Sequence, residues 1–189
     1  ITTRLVGSEM CIRDRIISFF LVPLYTYVLT ASEYGIVDLV VTVGTVAIPI
    51  LTLNISEAVM RFALDKDADK EKITQIGTRI LLIGMLVGLL MFPVCGFFNK
   101  ISQYSAYIYF YVISLAASQL YLCDLRGKEL LIYYAIGNVL NTFFIAVLNI
   151  LFLLVLKEGI EGYLKAYIIA NVLTAIYAIC LLYTSDAAD

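Results

Sequence analysis

Apolar positions along the chain come in runs of roughly 20, broken by short charged or turn-forming segments. A run of that length, coiled at about 1.5 Å per residue, crosses the roughly 30 Å hydrocarbon layer of a bilayer. The pattern predicts six membrane-crossing helices: Ile16–Thr30, Ile36–Val59, Ile80–Phe98, Tyr104–Cys123, Leu130–Leu156 and Ile160–Ile179. The first is too short to cross without several more residues. The connections are short, read as SEYG, NKISQ, DLRGKE and KEGIEG, except for Arg61–Arg79, whose DKDADKEK core is the one clearly solvated stretch. Pro23, Pro49 and Pro93 fall inside spans, which membrane helices tolerate because neighbouring helices and waters satisfy the freed carbonyls. The class implied is an all-α integral membrane protein.

The two ends of the chain read differently. Leu5–Asp14 (LVGSEMCIRD) and Cys180–Asp189 (CLLYTSDAAD) resemble the translated transposon adapters used to prepare sequencing libraries. The reverse complement of codons for Met10–Asp14 also lies, out of frame, within codons for Cys180–Thr184. Residues 1–15 and 180–189 are therefore expected to be adapter-derived and are excluded from the fold reasoning. That leaves residues 16–179 as one helical bundle with a truncated first helix. Cys11 and Cys180 drop out with the ends. Cys95 and Cys123 lie near opposite ends of successive spans, too far apart for the roughly 7 Å Cα separation of a disulfide, and are expected to be free thiols.

Composition strengthens the membrane reading. Apolar residues make up 62% and charged residues 15%, against roughly 45 to 50% and about 25% in soluble domains. The net charge of −2 gives no reason to expect a nucleic-acid partner. Lys and Arg are unevenly divided between alternate connections. Arg61, Lys66, Lys70, Lys72, Arg79, Arg126 and Lys128 gather on one side, with Lys100, Lys157 and Lys165 on the other. Positive charge favours the cytoplasmic side, so the Arg61–Arg79 and DLRGKE connections are expected there. Tyr25, Tyr27, Tyr34, Tyr104, Tyr107 and Tyr163 then fall at the outer boundary, carrying the interfacial belt in a chain with no Trp.

The chemistry available is that of hydroxyls, amides and a few charges. In the second span Asp38, Thr42, Thr45, Pro49, Thr52 and Ser56 recur every three or four residues, which sets a continuous polar stripe on one helix face. Such a stripe can line a water-filled cavity that accepts sugar hydroxyls, or simply let helices pack closely. Asn54, Glu57 and Arg61 cluster on the opposite face. Glu57 and Arg61 are spaced for an intrahelical pair; alternatively Arg61 offers a fork for phosphate oxygens. Similar stripes are Tyr107, Tyr111, Ser114, Ser118 and Tyr121; Asn138, Asn141, Thr142 and Asn149; and Tyr163, Tyr167, Asn171 and Thr174. Gly84 and Gly88 form a GxxxG pair read as close helix contact. The chain has no His, which removes His-based metal and nucleophilic sites, and no phosphate-cradling glycine motif.

From Ile16 onward, IISFFLVPLYTYVLTASEYGIVDLV, then IPILTLNISEAVMRFALDKD and GNVLNTFFIAVLNILFLLVLKEGIEGYLKAYIIANV, resemble bacterial polysaccharide transporters of the multidrug/oligosaccharidyl-lipid/polysaccharide exporter superfamily. The EYG turn at Glu33–Gly35 and the SEAVMRF run at Ser56–Phe62 are its more specific features. The resemblance implies the N-terminal six-helix bundle of a MATE-like two-bundle transporter, facing a missing C-terminal bundle across a central cavity. It implies a multi-pass protein of the bacterial inner membrane that flips polyprenyl-pyrophosphate-linked oligosaccharide for O-antigen, capsule or exopolysaccharide assembly. No cofactor is implied, with transport coupled to an ion gradient or the membrane potential. The substrate residue the resemblance carries over is Arg61; Glu57, Asn54 and Asn141, with the cavity stripe of Asp38, Thr42, Thr45, Thr52 and Ser56, are the further candidates from the residue pattern. The alternatives are a multidrug cation antiporter of the same fold and a membrane-embedded glycosyltransferase or polymerase.

Overall fold

The computed structural model describes residues 22–23, 25–65, 69–95 and 104–186. Residues 16–21 and 24 of the predicted first span, the NKISQ connection, Lys66 and residues 1–15 lie outside them, as does the side chain of Cys95. Helices follow in the order α1 (Ala31–Thr52), α2 (Ile55–Ala63), α3 (Lys70–Cys95), α4 (Ser105–Gly127), α5 (Leu131–Asn149) and α6 (Gly159–Asp186), with a π-helical stretch, Ile150–Val155, extending α5. No strand occurs among the described residues, and five helices are long and apolar enough to cross a membrane.

The protein is inside-out relative to a soluble bundle. Val43, Val46 and Ile50 on α1, Leu82, Ile83, Leu86 and Leu90 on α3, and Ile132, Val139 and Phe143 on α5 are all exposed. A contiguous apolar surface of that extent is stable only against lipid or another apolar surface. The centre is α4, which packs against every other described helix and most extensively against α6. Leu120, Leu125, Leu153 and Leu164 fill its surroundings, with Tyr111, Val112 and Ala116 continuing the core along α4.

Four boundaries differ from the sequence pattern. The EYG segment is not a connecting turn but the first turn of α1. Thr30 and Glu33 form a capping box: the Glu33 amide donates to Thr30 Oγ1 at 3.3 Å and the Thr30 amide to Glu33 Oε2 at 2.8 Å. Two of the helix's unpaired starting donors are thereby satisfied. The second predicted span is two helices, because Leu53 and Asn54 both take left-handed φ, 50° and 54°. The third begins ten residues early, at Lys70, so most of the expected solvated loop is helix. Its polar start is held by Asp69, whose Oδ1 accepts from the Lys72 amide at 3.2 Å and whose Oδ2 pairs with Lys72 Nζ at 2.7 Å. Those bonds hold the Asp69 carboxyl below its ordinary pKa. The fifth span widens after Asn149, where the Leu156 amide donates to Leu151 O at 3.1 Å, five residues back. Left-handed Lys157 and Gly159 then reverse the chain into α6.

α1 and α3 touch at Gly84. A Cβ there would lie 2.5 Å from the Leu51 carbonyl oxygen, so only glycine admits the approach. At Gly88 the nearest atoms would be at an ordinary 3.5 Å. Close contact in the GxxxG pair therefore belongs to Gly84.

Candidate functional site

The stripes that look alike in sequence have different fates. Those of α4 and α6 face each other. Ser118 Oγ donates to Asn171 Oδ1 at 3.3 Å, the Tyr111 and Tyr167 rings meet edge-on at 6.0 Å, and Tyr107 Oη donates to Glu161 Oε2 at 3.2 Å. Ser114, Ser118, Asn171 and Thr174 are buried in that seam. Small and polar residues here let two helices approach and hydrogen-bond where lipid offers no alternative partner. Asn141 of α5 joins the seam, its Nδ2 donating to Asn171 Oδ1 at 3.4 Å. Asn171 Nδ2 and Asn141 Oδ1 are buried without partners. Exchanging amide N and O in both residues would still leave one donor and one acceptor unpaired. Asn149, fully buried, turns its Nδ2 back to Ile145 O at 2.8 Å where α5 becomes π-helical.

The α1 stripe is not continuous. Asp38, Thr42, Thr45 and Pro49 are exposed, whereas Thr52 at the end of α1 and Ser56, beyond the register change at Leu53–Asn54, are buried. Thr52 returns its hydroxyl to Ile48 O at 2.8 Å, and Thr45 does the same to Thr42 O. The exposed part of the stripe is thus the membrane-depth polar surface that this bundle leaves uncovered.

Asn54, Glu57 and Arg61 share the exposed face of α2, opposite buried Ser56, Val59 and Ala63. Glu57 and Arg61 are one turn apart, yet no ion pair joins them, and neither pairs with another described residue. The break places Asn54 at the start of α2, where its carbonyl oxygen accepts from the Glu57 amide at 3.2 Å. Asn141 lies across the bundle in the α4–α6 seam, so the structure does not bring it to the Arg61 cluster.

Two further polar clusters occupy the ends. At the end that carries Lys70, Lys72 and Arg126, Asp124 is 1% exposed and accepts from Thr74 Oγ1 at 2.7 Å. Arg126 lies over the Tyr134 ring at 5.7 Å. At the opposite end Lys165 Nζ pairs with Glu158 at 2.8 Å and reaches Glu161 at 3.8 Å. Beside it stands a tyrosine cluster: Tyr163 stacks on Tyr167 at 4.6 Å, and Tyr25 meets Tyr163 edge-on at 5.2 Å. A cavity of about 200 Å³ opens among Tyr25, Tyr34, Tyr163, Tyr167 and Asp38. The sequence places these tyrosines at the outer boundary but gives no sign that they converge. The three-or-four-residue spacing of Tyr34 with Asp38, and of Tyr163 with Tyr167, was the available signal.

No group of His, Cys, Asp and Glu suited to a metal occurs among the described residues. Cys123 is a free thiol.

Five apolar helices of membrane length around a polar seam define a multi-pass α-helical membrane protein. A family model described as polysaccharide biosynthesis protein matches residues 5–185. The chain belongs to that family, whose function lies in polysaccharide synthesis and transport. No curated protein and no solved structure matches it.

Proposed function

We propose that the protein is one bundle of a flippase that carries polyprenyl-pyrophosphate-linked oligosaccharide from the cytoplasmic to the outer leaflet of the bacterial inner membrane. The observation that carries this reading is the uncovered part of the α1 stripe, Asp38, Thr42, Thr45 and Pro49. Ionisable side chains within membrane helices almost always face a bundle interior or a water-filled cavity, because exposure to lipid is costly. A face of this kind is suited to a water-filled cavity closed by a second bundle. Hydroxyls and a carboxylate recognise a saccharide through paired hydrogen bonds. Family membership in polysaccharide biosynthesis favours that cargo. Arg61 on α2 supplies a positive fork for the pyrophosphate, and transport is driven by an ion gradient or the membrane potential.

The test is complementation of a bacterial strain lacking its own flippase by the full-length gene, scored by surface polysaccharide. Restoration is expected. Failure to restore polysaccharide, together with gained resistance to cationic dyes, would replace the flippase with a cation antiporter.

A further inference from the structure

Resting on the flippase reading, we infer that the tyrosine-lined cavity at the N-terminal ends of α1 and α6 is a subsite for one pyranose residue of the saccharide. The cavity measures about 200 Å³, below the roughly 300 to 1,000 Å³ of drug-sized pockets, and is near six or seven times a water's roughly 30 Å³ share of liquid. That is room for a single sugar ring and not for a chain of them. Its walls combine what a pyranose presents. Tyr163 and Tyr167 stack on each other and Tyr25 meets Tyr163 edge-on, which fixes the tyrosine wall, with half-buried Tyr34 also lining the cavity. Such a wall offers apolar ring surface to the C–H side of a sugar ring. On the rim, the exposed Asp38 carboxylate has two oxygens that accept from a vicinal pair of hydroxyls.

The Tyr25 hydroxyl separates a sugar from other ligands of aromatic cages. Tyr25 is only 6% exposed, and its hydroxyl has no hydrogen-bond partner, although that of Tyr167 lies near it without meeting hydrogen-bond geometry. Leaving a hydroxyl unpaired in an apolar setting is costly, so it is a group that awaits a ligand. A quaternary ammonium, the usual guest of tyrosine cages, carries no hydrogen to give it. A sugar hydroxyl both donates and accepts. The cavity also lies on α1 directly above the uncovered Thr42 and Thr45, one and two turns on from Asp38. The subsite is therefore continuous with the proposed transport surface and sits at its Glu158–Glu161 end.

The experiment uses the full-length protein in lipid nanodiscs and saturation-transfer NMR with a panel of methyl pyranosides, namely glucoside, galactoside, mannoside, rhamnoside and N-acetylglucosaminide. Tetramethylammonium serves as the cation probe. At least one pyranoside should show transfer, weakened at least tenfold by Asp38→Asn and about threefold to tenfold by Tyr25→Phe, the range expected for one hydrogen bond. Tyr25→Phe removes only an unpartnered hydroxyl, so the variant should elute and melt as the parent does. Tetramethylammonium should show no transfer that depends on Asp38. If tetramethylammonium binds through Asp38, or if no pyranoside shows transfer, the subsite is refuted. Complementation keeps the two readings apart. A wild type that restores polysaccharide while no pyranoside binds sinks the subsite alone, whereas a wild type that fails to restore it sinks the flippase reading.

Discussion

Gly84→Ala tests the packing on which the bundle's geometry depends. The new Cβ would stand 2.5 Å from the Leu51 carbonyl oxygen and 3.2 Å from its carbon, both backbone atoms at the end of α1. No rotamer change relieves a backbone clash. Reaching the 3.4 Å of ordinary contact requires α1 and α3 to part by about 0.9 Å. Overpacking of this kind costs about 1 to 3 kcal/mol. Alanine is also the better helix former by roughly 0.8 to 1 kcal/mol, which would mask part of the loss. Gly88→Ala supplies the control, since it lies on the same helix, gains the same propensity and meets nothing closer than 3.5 Å. The difference between the two variants then reports the clash alone, and Gly84→Ala should be the less stable by about 1 to 3 kcal/mol. The measurement is heat- or SDS-induced unfolding of purified protein in detergent, followed by size exclusion. Equal stability of the two variants would show that α1 and α3 do not meet at Gly84. The break at Leu53–Asn54 would then lose its support from α3.

Leu53→Gly should stabilise the protein by up to about 1 kcal/mol, because left-handed backbone costs a side-chain-bearing residue about 1 to 2 kcal/mol and Leu53, 82% exposed, loses little packing; a clear loss in the same unfolding assay would mean that α1 and α2 are one helix. With no ion pair between Glu57 and Arg61, a double-mutant cycle of unfolding should give coupling below the roughly 0.3 to 0.5 kcal/mol of a helical pair. In the same cycle, surface polysaccharide should fall with Arg61→Ala and stay low when Glu57→Ala is added; recovery in the double mutant would leave Arg61 a structural partner. In a Cys-free full-length protein, a cysteine replacing Glu158 should react with an impermeant thiol reagent in intact cells, and one replacing Glu129 should not. Labelling at Glu129 instead would invert the orientation.

Run length and charge determined the architecture, because bilayer thickness fixes how many apolar residues a helix needs and this constraint is local. The polar start of α3 escaped that reading, since hydropathy marks where lipid begins and a helix extends into water for as long as its inner face stays packed. Ile73, Gly77 and Leu81 keep that face against the bundle from Lys70 onward. The capping box at Thr30 and Glu33 was legible as T-x-x-E, and Gly35 beside it gave the misleading impression of a turn. Periodicity identified four polar stripes and could not rank them. It records which residues share a face of one helix, whereas whether that face is covered depends on a neighbour distant in sequence. Ser118 and Asn171, 53 residues apart, closed the α4–α6 stripes upon each other, while Asp38 stayed open. The break at Leu53–Asn54 was invisible for a related reason: neither residue is a glycine or a proline, and it is the approach of Gly84 to Leu51 that sets α1 against α3 beside it. The sequence by itself thus determined that the chain is built of apolar membrane-length helices and which of their faces are polar. Only the tertiary structure decided which of those faces the bundle covers and which it leaves exposed, because burial is a property of pairs of helices.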